Sequence, residues 1–234
     1  MRFLKHLGSL TFRRQGPRVI PDSPLGGLVR RKENRFSFPG DSGKGYERDA
    51  EPMNPRIAFI GAPLLTFAYG AIRLLSEHGP GLAWTTGHLA FLVALGLYAV
   101  VLLHLDRHTH TGFTVLGFLG LAAFAAQFLI DLVVGFMSAD RTEMSDLFGQ
   151  VYDVPGLEVV VQIAGPPLFY VALFAMLTHL AIKRLVPYWI PVAVLVASLL
   201  PVINLDLLPI SAAIILVAFS MTVREIVDLE PARP

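Results

Sequence analysis

From residue 57 onward the chain alternates long apolar runs with short polar ones. Residues 57–75 are apolar except for Arg73. Residues 83–105 enclose His88 and His104, residues 112–137 enclose Gln127 and Asp131, and residues 157–182 enclose Gln162 and His179. Two shorter runs follow, 186–200 and 207–223, separated by Pro201, Asn204 and Asp206 among apolar neighbours. A helix rising 1.5 Å per residue needs about 20 residues to cross a hydrocarbon layer of about 30 Å, and the first four runs meet this. Backbone N–H and C=O groups cannot stay unpaired in lipid, so each run is predicted to be helical.

Residues 186–223 as one helix would measure about 57 Å, which is nearly two crossings. Pro201 and Pro209 interrupt regular helix there, and Asn204 and Asp206 are turn-type residues. The pattern therefore predicts two spans joined by a tight turn. One span plus a re-entrant or surface segment is the alternative. The predicted fold is an all-α integral membrane bundle of six transmembrane helices at 57–75, 83–105, 112–137, 157–182, 186–200 and 207–223. These make one domain over 53–224, with a short tail at 225–234.

Composition sharpens this picture. Of 234 residues, 54% are hydrophobic and 16% charged, against about 25% charged in a soluble domain. Residues 1–56 hold 12 of the 19 Lys and Arg and 6 of the 18 Asp and Glu. The remainder keeps too few charges to surround a soluble core. This excludes a soluble enzyme, a nucleic-acid-binding domain and a disordered chain as readings of the body. There is no cysteine, which excludes disulfides, thiolate metal sites, iron–sulfur clusters and a Cys nucleophile.

Residues 1–52 read as a basic cytoplasmic tail that suits contact with anionic lipid. Within 1–14, Phe3, Leu4, Leu7, Leu10 and Phe12 can share a helical face beside Arg2, Lys5, Arg13 and Arg14. This is the pattern of an amphipathic surface helix or of an Arg-rich, acid-poor presequence. A disordered tail is the simpler reading. Met53-Asn54-Pro55-Arg56 directly before an apolar run also resembles a protein start, so the tail is equally readable as an over-extended start. The location predicted is the cytoplasmic membrane, with the mitochondrial inner membrane as the alternative that a presequence implies.

Short-loop Lys and Arg set the orientation. The segment before the first span, Arg107, Lys183-Arg184 and Arg224 alternate onto one side. Glu77, the acidic 138–156 loop and Asp206 fall on the other. Both termini are therefore predicted inside. Trp84, Tyr152, Tyr188 and Trp189 stand at predicted span ends, where amphipathic rings collect.

Candidate chemistry lies in the intramembrane polar residues, because these are costly and usually paired. Asp131 is the clearest, and Gln127 precedes it by one helical turn. Arg73, His88, Gln127, Asp131, Gln162 and Asp206 are predicted at similar depth near the outer side. They are read either as an outward-opening polar pocket, with Asp131 as proton or cation acceptor and Arg73 or His88 as its counter-charge, or as hydrogen-bonded glue between helices. Arg73 is also placed to pair with Glu77 one turn on. His104 and His179 both fall near the inner end, the geometry one haem held by two spans would need. They are weak candidates, and no cofactor or metal is predicted. Gly165-Pro166-Pro167 removes two backbone donors and must bend the fourth span, freeing carbonyls near Gln162. Gly117, Gly120, Ala123 and Ala126 form a small-residue stripe, suited to close packing within the bundle or between copies.

No zinc-protease, serine-hydrolase or P-loop motif is present. The leading functional expectation is a non-enzymatic membrane component that packs with, senses for or regulates a partner, either another membrane protein or a second copy. A small-solute or proton-coupled carrier built on Asp131 is the first alternative, and a haem or quinone redox subunit the second.

Overall fold

The computed structural model describes residues 54–76 and 79–227. The basic tail, its amphipathic opening, Glu77 and the last residues lie outside the described residues. All regular elements among the described residues are helical: α1 (Pro55–Leu75), α2 (Leu82–Asp106), α3 (Thr111–Met137), α4 (Arg141–Tyr152), α5 (Gly165–Ile182), α6 (Trp189–Ile203) and α7 (Leu208–Val227). A π-helical segment, Val159–Ala164, leads into α5, and a 3₁₀ turn, Leu205–Leu207, leads into α7.

Local chemistry sets these boundaries. Asn54 caps α1 by accepting from the Arg56 N–H at 3.0 Å, and Pro55 occupies the first turn, where its missing donor costs nothing. Pro166 and Pro167 occupy the first turn of α5. They cannot donate to the preceding turn, so the segment before them widens to π geometry, with the Gly165 N–H reaching the Val160 carbonyl. Helix α6 runs through Pro201 and stops at Asn204, which is extended; the Asn204 side chain accepts from the Asp206 N–H at 2.9 Å and starts the 3₁₀ turn.

The region predicted as an acidic loop is the helix α4. The Asp140 side chain accepts from the N–H groups of Thr142 and Glu143 at 2.8 and 2.9 Å, and Glu143 accepts from the Ala139 N–H at 2.7 Å. This is a variant of the capping box, with Asp as N-cap and Glu143 reaching the N–H of the residue before it rather than that of the cap itself.

Six apolar helices close into a ring in the order α1, α2, α3, α5, α6, α7, with α7 returning to α1. Neighbours in the ring run antiparallel, through short turns at α1–α2, α2–α3, α5–α6 and α6–α7 and through the longer α4 segment between α3 and α5. One end of the ring holds α4 and the α1–α2 and α6–α7 turns; the far end holds the α2–α3 and α5–α6 turns. Tyr98, Phe59, Phe91, Phe169 and Phe219 fill the interior. The outer face is also apolar: Val93, Leu119, Val133, Val171, Val192 and Val217 are all more than half exposed. A soluble bundle turns polar residues outward, so this exterior matches hydrocarbon.

Five helical stretches are long and apolar enough to cross a membrane: Pro55–Leu75, Leu82–Asp106, Thr111–Met137, Val159–Ile182 and Leu205–Ile226. Helix α6 has 15 residues, or about 22 Å. It is tied to α7 by the buried Ser211 hydroxyl, which donates to the Ala197 carbonyl at 2.7 Å.

The small-residue stripe of α3 packs inside the bundle. A Cβ at Gly120 would come within 2.8 Å of the Phe169 Cα and 2.9 Å of the Gly165 carbonyl oxygen. One at Gly117 would meet Leu102 and Ala172. The stripe is the seam between α3 and its neighbours.

At the far end, α5 closes with Arg184 in the left-handed region at φ 60°. The Leu185 N–H reaches the Leu180 carbonyl and the Arg184 N–H that of Ala181, the two bonds of a Schellman ending, where glycine is the favoured residue. Arg184→Gly is expected to raise stability by about 1 kcal/mol through relief of the left-handed conformation, read as a higher melting temperature in detergent.

Candidate functional site

The site lies at the α4 end, between α1, α2 and α3. Trp84 and His88 are one turn apart on α2, so both project to the same side. The His88 Nδ1 lies 2.7 Å from the Trp84 carbonyl oxygen. A carbonyl can only accept, so Nδ1 carries the hydrogen and donates it. That fixes the ring: Nε2 points away from its own helix, 3.6 Å from the Asp131 Oδ2 of α3. The His88 side chain is almost fully buried, and that of Asp131 keeps 15% exposure.

Trp84 completes the junction. Its indole Nε1 donates to the backbone carbonyl of Asp131 at 2.9 Å. The indole can approach that closely because position 135 is glycine: a Cβ there would fall 2.5 Å from the Trp84 Cδ1. The Trp84 ring also stacks on His88, with centroids 4.0 Å apart and planes 32° apart. Tyr69 from α1 meets His88 edge-on at 5.3 Å, and Phe128 from α3 lies 5.2 Å away. The imidazole is thus held by rings from three helices. The charges of Arg73 and Asp131 both act on the Tyr69 hydroxyl.

Helix α4 lies over this junction. Its Met144 is buried, and its Phe148 ring approaches Trp84 at 6.4 Å and stacks on Tyr152. Burial raises the Tyr152 phenol above its usual range, with the charges of Asp131 and Glu158 adding to the rise and the nearby Gln162 side chain opposing it. Tyr152 is therefore a neutral group at ordinary pH.

The six residues expected at one depth divide into groups. Asp131 and His88 meet directly, and Arg73 borders the same crevice between α1 and α2. Gln127 is half-buried, and its Oε1 accepts from no described residue. Gln162 is exposed on the π-helical segment, linked to the junction only through Tyr152. Asp206 is exposed in the α6–α7 turn. The pairing of Arg73 with Glu77 lies outside the described residues. Tyr69, Trp84 and Tyr152 belong to the site although hydropathy alone does not single them out.

The histidines at the far end face different neighbours. His104 is buried edge-on against Phe59 of α1, centroids 5.8 Å apart. His179 lies 5.0 Å from His110 and 6.4 Å from Phe113. The loop between them is tied down by Lys183, whose Nζ donates to the His108 carbonyl at 3.0 Å.

The fold and this junction define the class: an all-helical bundle with an apolar exterior and a buried His–Asp pair at one end. Comparison with family models, curated proteins and solved structures gave no match.

Proposed function

We propose that this chain is a non-enzymatic, multi-span membrane component made proton-responsive by His88 and Asp131. The supporting observation is the fixed tautomer. With Nδ1 donating to Trp84, a neutral His88 presents a lone pair on Nε2 toward a carboxylate oxygen 3.6 Å away. Two unprotonated acceptors facing each other in an apolar site repel. One shared proton removes the repulsion, giving either imidazolium with carboxylate or imidazole with carboxylic acid. Losing that proton leaves an uncompensated charge in a site walled largely by aromatic rings, and such a charge is costly. The two protonation states therefore stabilise the α2–α3 junction differently, and α4 rests on that junction.

In this reading α6 is the sixth crossing, shorter than the rest, and the bilayer thins or its flanking Tyr188 and Trp189 reach the interface to match it. Arg107, Lys183, Arg184 and Arg224 support the orientation of this reading, with the far end and both termini in the cytoplasm. The α4 end, with Asp140, Glu143, Asp146 and Asp153, faces outward from the cytoplasmic membrane. The bilayer is the first partner, with anionic lipid at the basic tail and a second membrane protein or second copy as the recipient of the signal.

Trp84 provides the test. There are two tryptophans, so Trp189→Phe leaves Trp84 as the only indole. Its emission is expected to follow pH as one protonation step, because imidazolium in stacking contact quenches indole. His88→Gln is expected to flatten the profile. A profile unchanged by His88→Gln would contradict the reading. Proton-coupled carriage of a small solute is the second reading, supported by the approach of His88 to Asp131 within the bundle. It requires a pH-driven flux that Asp131→Asn abolishes.

A further inference from the structure

We infer that protons reach His88 and Asp131 from the α4 end alone, at the His88 ring through a one-water site between α1 and α2, while a phenylalanine seal closes the route to the far end. The inference rests on the proton-sharing reading above and adds the side from which the proton comes.

The access site is a crevice of about 10 Å³, room for about one water molecule. It is lined by Tyr69, Arg73 and Ser76 of the α1 end and by Ala83, Trp84 and His88 of the α2 start. Ala83 is exposed, so the crevice reaches the surface, and His88 forms its inner wall. The Arg73 Nε is buried here with no described acceptor. It is a donor that a water in this space would satisfy, and such a water would stand between the surface and the His88 ring. A buried water needs polar partners, and Arg73, Ser76 and the Tyr69 hydroxyl provide them.

The opposite side of His88 is aromatic and closely packed. Phe91 and Phe128 stack at 4.1 Å with planes 15° apart, and Phe124 closes on both at 5.2 and 5.6 Å. All three are at most 9% exposed. Tyr69 packs on Phe91 and Phe128 at 5.1 and 5.2 Å, so the seal continues onto α1. The buried cluster continues along α2 with Ala94, Leu95, Tyr98 and Leu102. An apolar constriction of this kind excludes water and with it proton transfer. The charged and titratable groups facing the pair are Tyr69 and Arg73 from α1 and Tyr152 from α4, with Glu158 acting on Tyr152 from before the π-helical segment. All lie on the α4 side of the seal.

The experiment uses the full chain with Trp189→Phe, reconstituted into vesicles of zwitterionic lipid with a membrane-impermeant buffer. The fraction with the α4 end outward is measured as the share of a C-terminal tag protected from external protease. External pH is then jumped in a stopped-flow instrument while Trp84 emission is followed. The fast amplitude is expected to equal the outward fraction, with the rest responding only when a protonophore is added. Phe128→Ala, or Phe91→Leu should that variant fail to fold, is expected to move the slow fraction into the fast phase. A full fast response in the parent protein without protonophore overturns one-sided access and leaves the proton-sharing pair standing. No response at any pH, with protonophore present, overturns the pair itself.

Discussion

Replacing Gly120 by leucine is expected to separate α3 from α5 and abolish the folded bundle in detergent. Gly120 faces backbone, the Phe169 Cα and the Gly165 carbonyl, and backbone on a neighbouring helix cannot rotate away as a side chain can. Gly165 cannot retreat either, because its own missing Cβ leaves it against Ala123. Even Gly120→Ala is expected to cost about 3 kcal/mol, the upper end of over-packing penalties. Lipid gives no hydrophobic compensation, because helix association there depends on close contact. Gly96→Ala is the control, since a Cβ at Gly96 meets nothing within 4 Å. Thermal unfolding in detergent reads both. Equal melting temperatures for Gly120→Ala and Gly96→Ala would show that the seam is not where the bundle is held.

The second large effect is expected at the His–Asp junction. Asp131→Leu leaves His88 pinned to Trp84 with its outer nitrogen facing an apolar side chain. The expected loss is roughly 3 kcal/mol, the lower end for breaking a buried pair, because the Asp131 side chain keeps 15% exposure. The double variant His88→Leu with Asp131→Leu is expected to recover part of that loss, since no polar group is then stranded. Additive losses would mean that the two side chains do not act as a pair.

Much of the architecture is legible in the amino-acid order because lipid leaves helices as the solution for a spanning apolar run. The limits of α1, α2 and α3 fall within two residues of the apolar runs, and the turn at Asn204 is marked by its side chain. Two features escape hydropathy. Helix α4 is amphipathic and flanked by acids, so it reads as loop, although Asp140 and Glu143 stand at the spacing of a capping box. Helix α6 passes through Pro201, whose missing N–H leaves the Ala197 carbonyl unpaired within the helix, and the Ser211 hydroxyl of α7 donates to that carbonyl instead.

The site was half legible. Counting along each helix gives depth, and depth groups Arg73, His88, Asp131 and Gln162. It does not give the direction each helix faces. That depends on neighbours, and here on Gly135, which admits the Trp84 indole and so brings α2 and α3 into line. Trp84 and Tyr152 read as interfacial rings by position and Tyr69 as apolar filling, and nothing in their spacing marks them as partners of a histidine. Gln162 and Asp206 share the depth but face outward.

The account stands on the tautomer of His88. Nitrogen NMR of the chain labelled with ¹⁵N-histidine, assigned by His88→Gln, reports which ring nitrogen holds hydrogen. Nδ1 is expected to stay protonated at every pH at which the bundle is folded, with only Nε2 changing as the proton shared with Asp131 comes and goes. A neutral His88 with its hydrogen on Nε2 would contradict the account, because the imidazole would then be a fixed donor to Asp131.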